Sequence, residues 1–568
     1  MTDQKKTSPV GLAVGVLVSA CLVSAVYLQV LGHQFLHWDD IGFYVTNPQL
    51  YGFTAENLWW IVTSSGDGIW KPLTWLSFML EFHWLPLDAP GYHLLINPVI
   101  HAGNAVLAGA ILYRLLSLPA VGDSPESMRR LAGLLLIAIV AVHPIQVEAV
   151  AWLAGRKEVL CAFFYLLAVW CWLRRLDDPV RARGWFACAL LMHFLALLAK
   201  PMAVTVPVIL LALDMTARRR ETLWQCVGEK WPFWLLSLCI VPIAIWGQLA
   251  VDALPDATEV STTMRLAQGV DSYTAYLAKV FLPLNLVPYY PSMTELDSGR
   301  LIASVLALLM LLGLAWHDWR TGKRRWFLAI AWYGVVFFPV CGWLQVGGHR
   351  VADRYAYLPV LSVYAVIAWC LAQWIMRKGR MMWLLPCALI VVLMGLSRQQ
   401  VAAWQSDRSL WEFAAVRETN SGLIMNNLGN TRYEAGEFES AASAYRRATV
   451  LQPFMTHYRN LITAYRAQRD WSNVLAVCQE ATEYHPEHGY FYEQAGQALM
   501  AQHRYADALP WFAQALSLSP DDHEALWGKA YALAKLRRKA EALHAIDQLL
   551  QQQPDHRGAL QLREALTP

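Results

Sequence analysis

The chain has 568 residues, of which 56% are apolar and 16% are charged, with a formal net charge of +3. Its mean hydropathy of +0.31 indicates a protein that lies mainly in a membrane and carries a soluble part. The small net charge gives no sign of nucleic-acid binding. The ten cysteines form neither a disulfide framework nor a zinc pattern, so they do not report the compartment.

The first apolar segment, residues 10–31, is long enough to cross a bilayer, which takes about 20 helical residues. It lacks a small-residue cleavage site and is expected to remain as an anchor. Directly after it come Trp38, Asp39 and Asp40. Charges at this boundary are costly unless they meet water, a cation or a metal. The pair is either an interface marker or a catalytic or metal-binding acid, and we favour the second because Trp38 alone could anchor the helix.

Eleven membrane-spanning helices are predicted, and every second connection between them is basic. The positive-inside rule then places the N-terminus in the cytoplasm and everything after residue 397 on the far side. That side is the periplasm of a bacterium or the lumen of the endoplasmic reticulum. We favour the bacterial inner membrane because the far-side loops lack Asn-X-Ser/Thr sequons. The predicted helix centres lie near residues 20, 104, 138, 165, 191, 208, 241, 308, 335, 365 and 389.

Two far-side stretches, residues 54–86 and 264–291, are rich in aromatic residues and amphipathic rather than continuously apolar. Such segments are typical of the membrane interface. The second could instead be a re-entrant segment or a twelfth span, which would reverse the topology after it. The basic cluster at residues 320–325 favours the interfacial interpretation.

From residue 422 the sequence becomes soluble and periodic. Pro453, Pro486, Pro520 and Pro554 are 33, 34 and 34 residues apart, and small or apolar residues recur in register between them. This period resembles that of tetratricopeptide (TPR) repeats, which are helix-turn-helix units. The predicted fold class is all-α: a polytopic membrane domain (residues 1–397), a linker helix (398–421), and a TPR solenoid of four repeats with a C-terminal cap (422–568).

Charged and polar residues cluster on the predicted far side of the membrane domain. At membrane depth such groups need a polar cavity lined by protein. A loop at residues 345–359 combines two glycines with several cationic groups, and guanidinium groups suit bidentate binding of phosphate. Besides the acid pair, the residues concerned are Lys71, His93, His143, Glu148, Arg156, Lys200, His349, Arg350, Asp353, Arg354 and Tyr357.

The order of these motifs resembles that of GT-C membrane glycosyltransferases, and most of all the transmembrane and TPR-containing protein O-mannosyltransferases and their bacterial relatives. The resemblance covers nearly the whole chain. Departures are Lys71 where relatives often have arginine, Lys157 where an acid is common, and Pro201 where glutamate often follows the lysine. The motifs that carry the resemblance are Trp38-Asp39-Asp40, Lys71-Pro72-Leu73, His93-Leu94-Leu95, His143-Pro144 with Glu148, Gly155-Arg156, Lys200, and Asp353-Arg354-Tyr355 with Tyr357-Leu358-Pro359.

The resemblance implies inverting transfer of one sugar from a polyprenyl-phosphate carrier to an acceptor hydroxyl. Asp39 is then expected to be the general base, and Asp40 its partner or the ligand of a divalent metal ion. Arg354 is expected to hold the lipid phosphate, together with Arg350, His349, Lys71 and Lys200. The residues expected to line the cavity are His143, Glu148, Arg156, Asp353, Tyr357 and His93.

The repeats are expected either to recruit the acceptor protein or to mediate self-association. Three functions remain open: protein O-glycosylation, which we favour; sugar transfer to a lipid or a cell-surface polysaccharide; and a membrane scaffold without enzymatic activity. The expected partners are the polyprenyl-phosphate-linked sugar, an acceptor protein and membrane lipids, but no nucleic acid. Residues predicted to face the acceptor groove are Asn426, Asn430, Arg459, Arg466, Tyr490, Gln497, Trp527 and Tyr531.

Overall fold

A computed structural model describes the chain over residues 9–66, 68–122, 124–217, 222–249, 261–291, 297–343 and 349–567. It divides into two compact units, residues 1–410 and 411–568. The boundary between residues 410 and 411 falls within the predicted linker at residues 398–421. The linker is not a single helix: residues 398–403 continue the last membrane helix, and a separate helix, α17, covers residues 407–417. The predicted all-α class is confirmed, since strands in the described residues are confined to one short antiparallel pair.

The first unit is a bundle of helices interrupted by short turns. Several helices begin at prolines, which suit the first helical turn because their missing N–H would have no partner there. Its α-helices are α1 (Pro9–Tyr27), α2 (Ala55–Thr63), α3 (Pro72–Trp84), α4 (Pro90–Leu115), α5 (Glu126–Val142), α6 (Val147–Ala151), α7 (Arg156–Asp177), α8 (Ala182–Ala199), α9 (Val206–Ala217), α10 (Leu223–Glu229), α11 (Trp231–Leu249), α12 (Thr262–Phe281), α13 (Ser298–Arg320), α14 (Arg325–Phe337), α15 (Leu361–Lys378) and α16 (Leu384–Ala403). Its shorter helical turns cover Leu28–Gly32, Asp40–Val45, Pro48–Leu50, Pro144–Gln146, Leu153–Gly155, Pro201–Thr205, Phe338–Val340, Asp353–Ala356 and Arg380–Trp383.

Each of the eleven predicted centres lies in a helix. Seven helices of the described residues are long and apolar enough to cross a membrane, and an eighth forms if the bent pair α5 and α6 is counted as one span. Two further segments, Pro201–Ala217 and Arg325–Val340, are apolar but shorter. The helix at the remaining centre, α15, is not among these candidates, and neither is the amphipathic α12.

Irregular backbone enters the bundle between α5 and α7 and again before α15. Asn97 and Asn104 of α4 donate side-chain hydrogen bonds to the backbone oxygens of Trp152 (2.7 Å) and Val159 (2.9 Å). Asn104 also donates to the hydroxyl of Tyr357 at 2.9 Å. The polar face of α4 therefore forms hydrogen bonds with neighbouring segments of the bundle. Non-helical backbone at such depth requires protein partners of this kind.

The opposite end of the bundle carries the basic loops. Arg114, near the end of α4, pairs with Asp177, at the end of α7, and its Nε donates a hydrogen bond to Oδ2 at 2.6 Å. Arg175 pairs with Glu229 at the same end. Since α7 begins at Arg156 of the predicted site, that site and these ion pairs lie at opposite ends of α7. The predicted basic residues at 5–6 and 218–220 lie outside the described residues.

A two-stranded antiparallel sheet lies beside the predicted phosphate-binding loop. β1 (Tyr290–Pro291) pairs with β2 (His349–Val351), with Tyr290 opposite Val351 and Pro291 opposite His349. The pairing joins the end of the segment at residues 264–291 to the loop that precedes Arg354. It therefore fixes the backbone on both sides of the candidate site.

The second unit consists of paired helices that match the predicted repeats. In each repeat the turn between the two helices contains one residue with positive φ: Gly436, Arg469, His503 and Arg537. These positions recur every 33 or 34 residues, as the prolines do. The helices are α18 (Gly422–Glu434), α19 (Phe438–Leu451), α20 (Met455–Ala467), α21 (Trp471–Tyr484), α22 (Gly489–Ala501), α23 (Tyr505–Leu518), α24 (His523–Lys535), α25 (Lys539–Gln552) and the cap α26 (Arg557–Leu566).

Pairs of core residues compensate in size between the two helices of each repeat. In the first repeat a Cβ on Gly429 would come within 2.4 Å of the ring of Tyr445, so the aromatic side chain needs a glycine opposite it. Gly496 and Phe512 repeat the arrangement in the third repeat. In the second repeat, whose sequence is degenerate, the larger residue is on the first helix: Ile462 is paired with Cys478. The fourth repeat pairs Ala530 with Ile546, which is intermediate in size. All four residues are buried.

Candidate active site

The two adjacent carboxylates after α1 have different environments. Asp40 is completely buried, and its two oxygens accept hydrogen bonds from the backbone N–H groups of Leu36 (3.1 Å) and Ala154 (3.2 Å). Burial raises the pKa of Asp40 to about 8, although these two hydrogen bonds lower it. Asp39 is only partly buried. Asp40 therefore ties the acid loop to the backbone before α7, and Asp39 is the acid that a substrate could reach.

Arg354 lies beside this loop and is held by Glu148. The backbone N–H of Arg354 donates to Glu148 Oε2 at 3.1 Å, and its Nη1 donates to Oε1 of the same carboxylate. Burial lowers the pKa of Arg354, but the charges of Glu148 and Asp39 raise it above its ordinary value. Asp39, Glu148 and Arg354 thus form one electrostatic group, with 12% of the Arg354 side chain exposed.

Asp353 is a positioning residue for the same loop. Its Oδ1 accepts from Lys279 Nζ at 2.6 Å and its Oδ2 from the hydroxyl of Tyr290 at 2.8 Å. Tyr276 of α12 binds both backbone groups of Ala352, donating at 2.7 Å and accepting at 2.9 Å. Sequence reasoning missed Lys279 and Tyr276, although it singled out the surrounding segment at residues 264–291 for its aromatic content.

Lys71 and Lys200, which the sequence predicts as phosphate ligands, both have internal partners. Lys71 is completely buried, with Nζ 2.9 Å from the hydroxyl of Tyr44 in the turn that begins at Asp40. Lys200 Nζ donates to Glu158 Oε1 at 2.5 Å and lies 4.8 Å from the ring of Tyr355. They adjoin the acid loop and the Arg354 loop respectively. Both lysines brace these loops and are less exposed than Arg354, which is also paired but has 12% of its side chain exposed, so we restrict the proposed phosphate contact to Arg354.

Arg156 and His93 belong to a closed buried network centred on Glu81 of α3. Arg156 Nη1 donates to Glu81 Oε2 at 2.7 Å, and its Nη2 donates to the backbone oxygen of His93 at 3.1 Å. The ring of His93 contacts Glu81 Oε1 through Nδ1 (2.7 Å) and the oxygen of Pro86 through Nε2 (3.1 Å). The predicted cavity position of both residues is therefore corrected to a structural one. Glu81 was missed because it lies in a stretch interpreted only as interfacial.

His143 and Tyr357 likewise hold backbone segments together. His143 Nε2 donates to the oxygen of Val280 at 3.0 Å, and its Nδ1 accepts from the N–H of Ile145 at 3.3 Å. The hydroxyl of Tyr357 is 2.7 Å from His101 Nδ1. Neither side chain has a polar group left for a cavity. The side chains of His349 and Arg350 lie outside the described residues.

The backbone hydrogen bonds of Asp40 compete with its predicted role as a metal ligand. Both oxygens of Asp40 already accept backbone hydrogen bonds. Across the described parts of the chain, the group of His, Cys, Asp or Glu side chains close enough to share an ion lies in the second unit rather than here. We therefore derive no step through a metal at this site.

In the second unit, the predicted groove residues all lie on the first helix of their repeat. Asn460, which the sequence reasoning did not select, connects two of them across successive repeats, since its Nδ2 donates to Asn426 Oδ1 (2.8 Å) and to Asn430 Oδ1 (3.3 Å). The guanidinium of Arg459 lies 5.0 Å from the ring centre of Tyr490. Further pairs along the same face are Arg466 with Gln494, Gln497 with Glu493, and Trp527 with Tyr531.

Glu493 is the buried acid of this groove, and it predicts a dependence of stability on pH. Burial raises its pKa from 4.5 to about 7, so the folded state binds more protons than the unfolded state between these values. Its contribution to stability is present below about pH 4 and is lost as the pH rises to 7, by at most about 3 kcal/mol. Glu493→Gln should flatten this part of the pH profile of thermal unfolding of the full chain. An identical slope in the variant would contradict the assignment.

Comparisons with known proteins identify similar chains and a repeat family. A tetratricopeptide repeat family model matches residues 426–488 and 493–557. The protein O-mannosyl-transferase TMTC3 of Homo sapiens is 23% identical over 94% of this chain and 63% of its own length. Tmtc3 of Drosophila melanogaster is 22% identical over 83% of this chain and 60% of its own length. TMTC2 of Mus musculus is 30% identical over 42% of this chain and 28% of its own length.

The chain therefore spans 63% and 60% of the lengths of the first two relatives. The matches to these two relatives extend over residues of both the membrane unit and the repeats of this chain. The resemblance predicted from the sequence, to protein O-mannosyltransferases that carry tetratricopeptide repeats, is confirmed by these relatives and by the repeat family.

Proposed function

We propose that this protein is a glycosyltransferase that moves a monosaccharide from a polyprenyl-phosphate carrier to hydroxyl groups of an acceptor protein. The observation that carries the proposal is a partly exposed acid, Asp39, whose charge acts on Arg354 at a break in the helical bundle. The relatives are named protein O-mannosyl-transferases, so mannose is the first sugar to test.

A single displacement fits these groups. Asp39 accepts the proton of a serine or threonine hydroxyl. At the same time, the oxygen of that hydroxyl forms a bond to the anomeric carbon of the sugar. The bond between that carbon and the phosphate oxygen breaks, and the polyprenyl phosphate leaves with the electron pair. Arg354 offsets the negative charge that develops on the phosphate. Attack on the face opposite the leaving group inverts the anomeric configuration.

The remaining charged residues keep this pair in place. Glu148 orients Arg354 through its backbone and its guanidinium, and Asp40 fixes the backbone next to Asp39. Asp353, which precedes Arg354 in the chain, accepts a hydrogen bond from Lys279 and so fixes the same loop to α12. Positioning of this kind supports catalysis because the catalytic groups need not reorganise during the reaction.

The distribution of basic loops supports an active site on the non-cytoplasmic face. Arg114 and Arg175 mark the basic end of the bundle, which the positive-inside rule assigns to the cytoplasm. Asp39 and Arg354 lie at the other end, next to the periplasm or the lumen. A lipid-linked donor flipped across the membrane would present its sugar there.

The repeats recruit the acceptor in this proposal. Their first helices present asparagines, arginines and aromatic rings along one face, which suits an extended peptide. Deleting residues 422–568 should spare transfer to a short free peptide and reduce transfer to the natural acceptor protein by at least about tenfold, a loss of the size expected when a tethered second contact disappears. If deletion left transfer to the natural acceptor protein as unchanged as transfer to the short peptide, recruitment by the repeats would be contradicted.

The proposal is tested by transfer with the purified chain in lipid nanodiscs. Radiolabelled polyprenyl-phosphate mannose and a peptide rich in serine and threonine are the substrates, and released polyprenyl phosphate and labelled peptide are measured together. The expected result is equal amounts of both products. Release that requires a lipid or polysaccharide acceptor would favour the alternative transferase, and absence of release with every acceptor would favour a scaffold.

A further inference from the structure

The turn between the second and third repeats brings three metal-binding side chains together. His485, Glu487 and His488 lie within a four-residue turn, and one potential ligand atom from each falls within 4.8 Å of the others. The turn is anchored at both ends: the N–H of His485 donates to Ala481 at 2.9 Å, and that of His488 donates to the oxygen of His485 at 3.2 Å. The donors therefore project from an ordered backbone.

The repeat fold does not require these residues. The same four-residue turn occurs twice more, and there the sequence offers two carboxylates in one case and one carboxylate with one histidine in the other. Those turns read Ser519-Pro520-Asp521-Asp522 and Gln553-Pro554-Asp555-His556, and the first junction is one residue shorter, Gln452-Pro453-Phe454.

The hydrogen bonds of His485 leave one ring nitrogen ready to bind an ion. Its Nε2 lies 2.7 Å from the backbone oxygen of Pro453, so Nε2 carries the proton and donates it. Nδ1 consequently keeps its lone pair. Histidine ligands of metal ions commonly donate their second N–H to a backbone carbonyl in this way, because that contact fixes the tautomer and the ring orientation.

His488 differs from the residues at its equivalent positions. Asp522 and His556 cap the helices that follow them, accepting hydrogen bonds from Ala525 and Ala559. His488 makes no such side-chain cap, and its Nε2 lies 3.0 Å from Glu487 Oε1 instead. Its ring is thus directed toward the other donors rather than toward its own helix.

We propose that His485, Glu487 and His488 form a binding site for a divalent transition metal, with zinc as the ion best matched to two imidazoles and a carboxylate. Water would complete the tetrahedral coordination. The site is independent of the proposed transferase activity. A bound ion would hold the start of α22, where Tyr490 faces the groove two residues later.

The test is zinc binding by the metal-stripped full chain, purified with an affinity tag that contains no histidine. Equilibrium dialysis and competition with a chromogenic chelator should give one zinc ion per chain. His485→Gln introduces the residue that Gln452 and Gln553 supply in the equivalent turns, so the fold should tolerate it. We expect this variant and Glu487→Gln to weaken zinc binding at least about tenfold.

His544→Gln, at an exposed histidine of α25, is the matched control and should leave zinc binding unchanged. Thermal unfolding without zinc should be the same in the wild type and in His485→Gln, and added zinc should raise the unfolding temperature of the wild type alone. Absence of binding by the wild type would overturn the site. Unchanged stoichiometry and affinity in His485→Gln would overturn it equally.

Discussion

Asp39→Asn is expected to reduce sugar transfer by at least about 100-fold while leaving the protein folded, because the amide cannot accept the proton of the acceptor hydroxyl. Asp39 is partly exposed, so the change should have little effect on thermal unfolding. The measurement is the rate of release of polyprenyl phosphate in the presence of acceptor peptide. Transfer by the variant at the wild-type rate would exclude Asp39 as the base.

Asp40→Asn is the matched control for this substitution, and its expected effect is different. The amide can accept only one of the two backbone hydrogen bonds and must turn its NH2 group toward the other N–H. One buried donor is then left unsatisfied, at a cost of about 1–3 kcal/mol. The variant should unfold at a lower temperature and lose activity because Asp39 is displaced. Unchanged stability would contradict the structural role of Asp40.

Glu148→Ala is expected to destabilise the membrane unit strongly and to abolish transfer. Removing one partner of a buried ion pair leaves the other charge uncompensated, which costs about 3–5 kcal/mol. Arg354 is 12% and Glu148 3% exposed, so water can relieve little of this penalty. The measurements are thermal unfolding in detergent and the transfer rate.

Two further variants separate the charge of this pair from its structural role. Glu126→Ala removes one partner of the exposed pair with Arg130 and should leave unfolding unchanged. Arg354→Lys keeps the positive charge but loses the planar guanidinium that contacts Glu148. It should therefore raise the KM for the donor and lower the unfolding temperature less than Glu148→Ala does. Stability unchanged in Glu148→Ala would contradict the pairing described here.

The periodic parts of the molecule could be predicted well from the sequence. Proline spacing identified the repeats, and the apolar periods identified a helix at each predicted centre. Even the degenerate second repeat fits, since Ile462 and Cys478 stand at the register positions of Gly429 and Tyr445 and are completely buried. Signals of this kind depend on local periodicity, which one sequence contains.

The partners of the charged residues were harder to predict. The sequence grouped Arg156, Lys71 and Lys200 with Arg354 because all are cations on one side of the bundle. Their partners Glu81, Tyr44 and Glu158 are distant or unremarkable in sequence, and only the packing of α3, α7, α8 and the turn at residues 40–45 brings them together. Periodicity places a residue on a face of a helix but does not determine which neighbouring helix supplies the opposite charge.

The roles of the two adjacent acids could not be assigned from sequence either. Asp39 and Asp40 have the same chemistry and neighbouring positions, and their difference arises from the helical turn that begins at Asp40. That turn directs Asp40 toward Ala154, which lies 114 residues further along the chain. The distinction between base and positioning residue therefore depends on a long-range contact.

The most direct test of the proposed transferase is mass spectrometry of non-cytoplasmic proteins from cells that express the wild-type chain, the Asp39→Asn chain or neither. The proposal predicts single hexoses on serine or threonine residues in the wild type, and their loss in both other strains at equal levels of the membrane protein. Identical protein glycosylation in all three strains, with changes confined to lipid-linked or polysaccharide sugars, would contradict it.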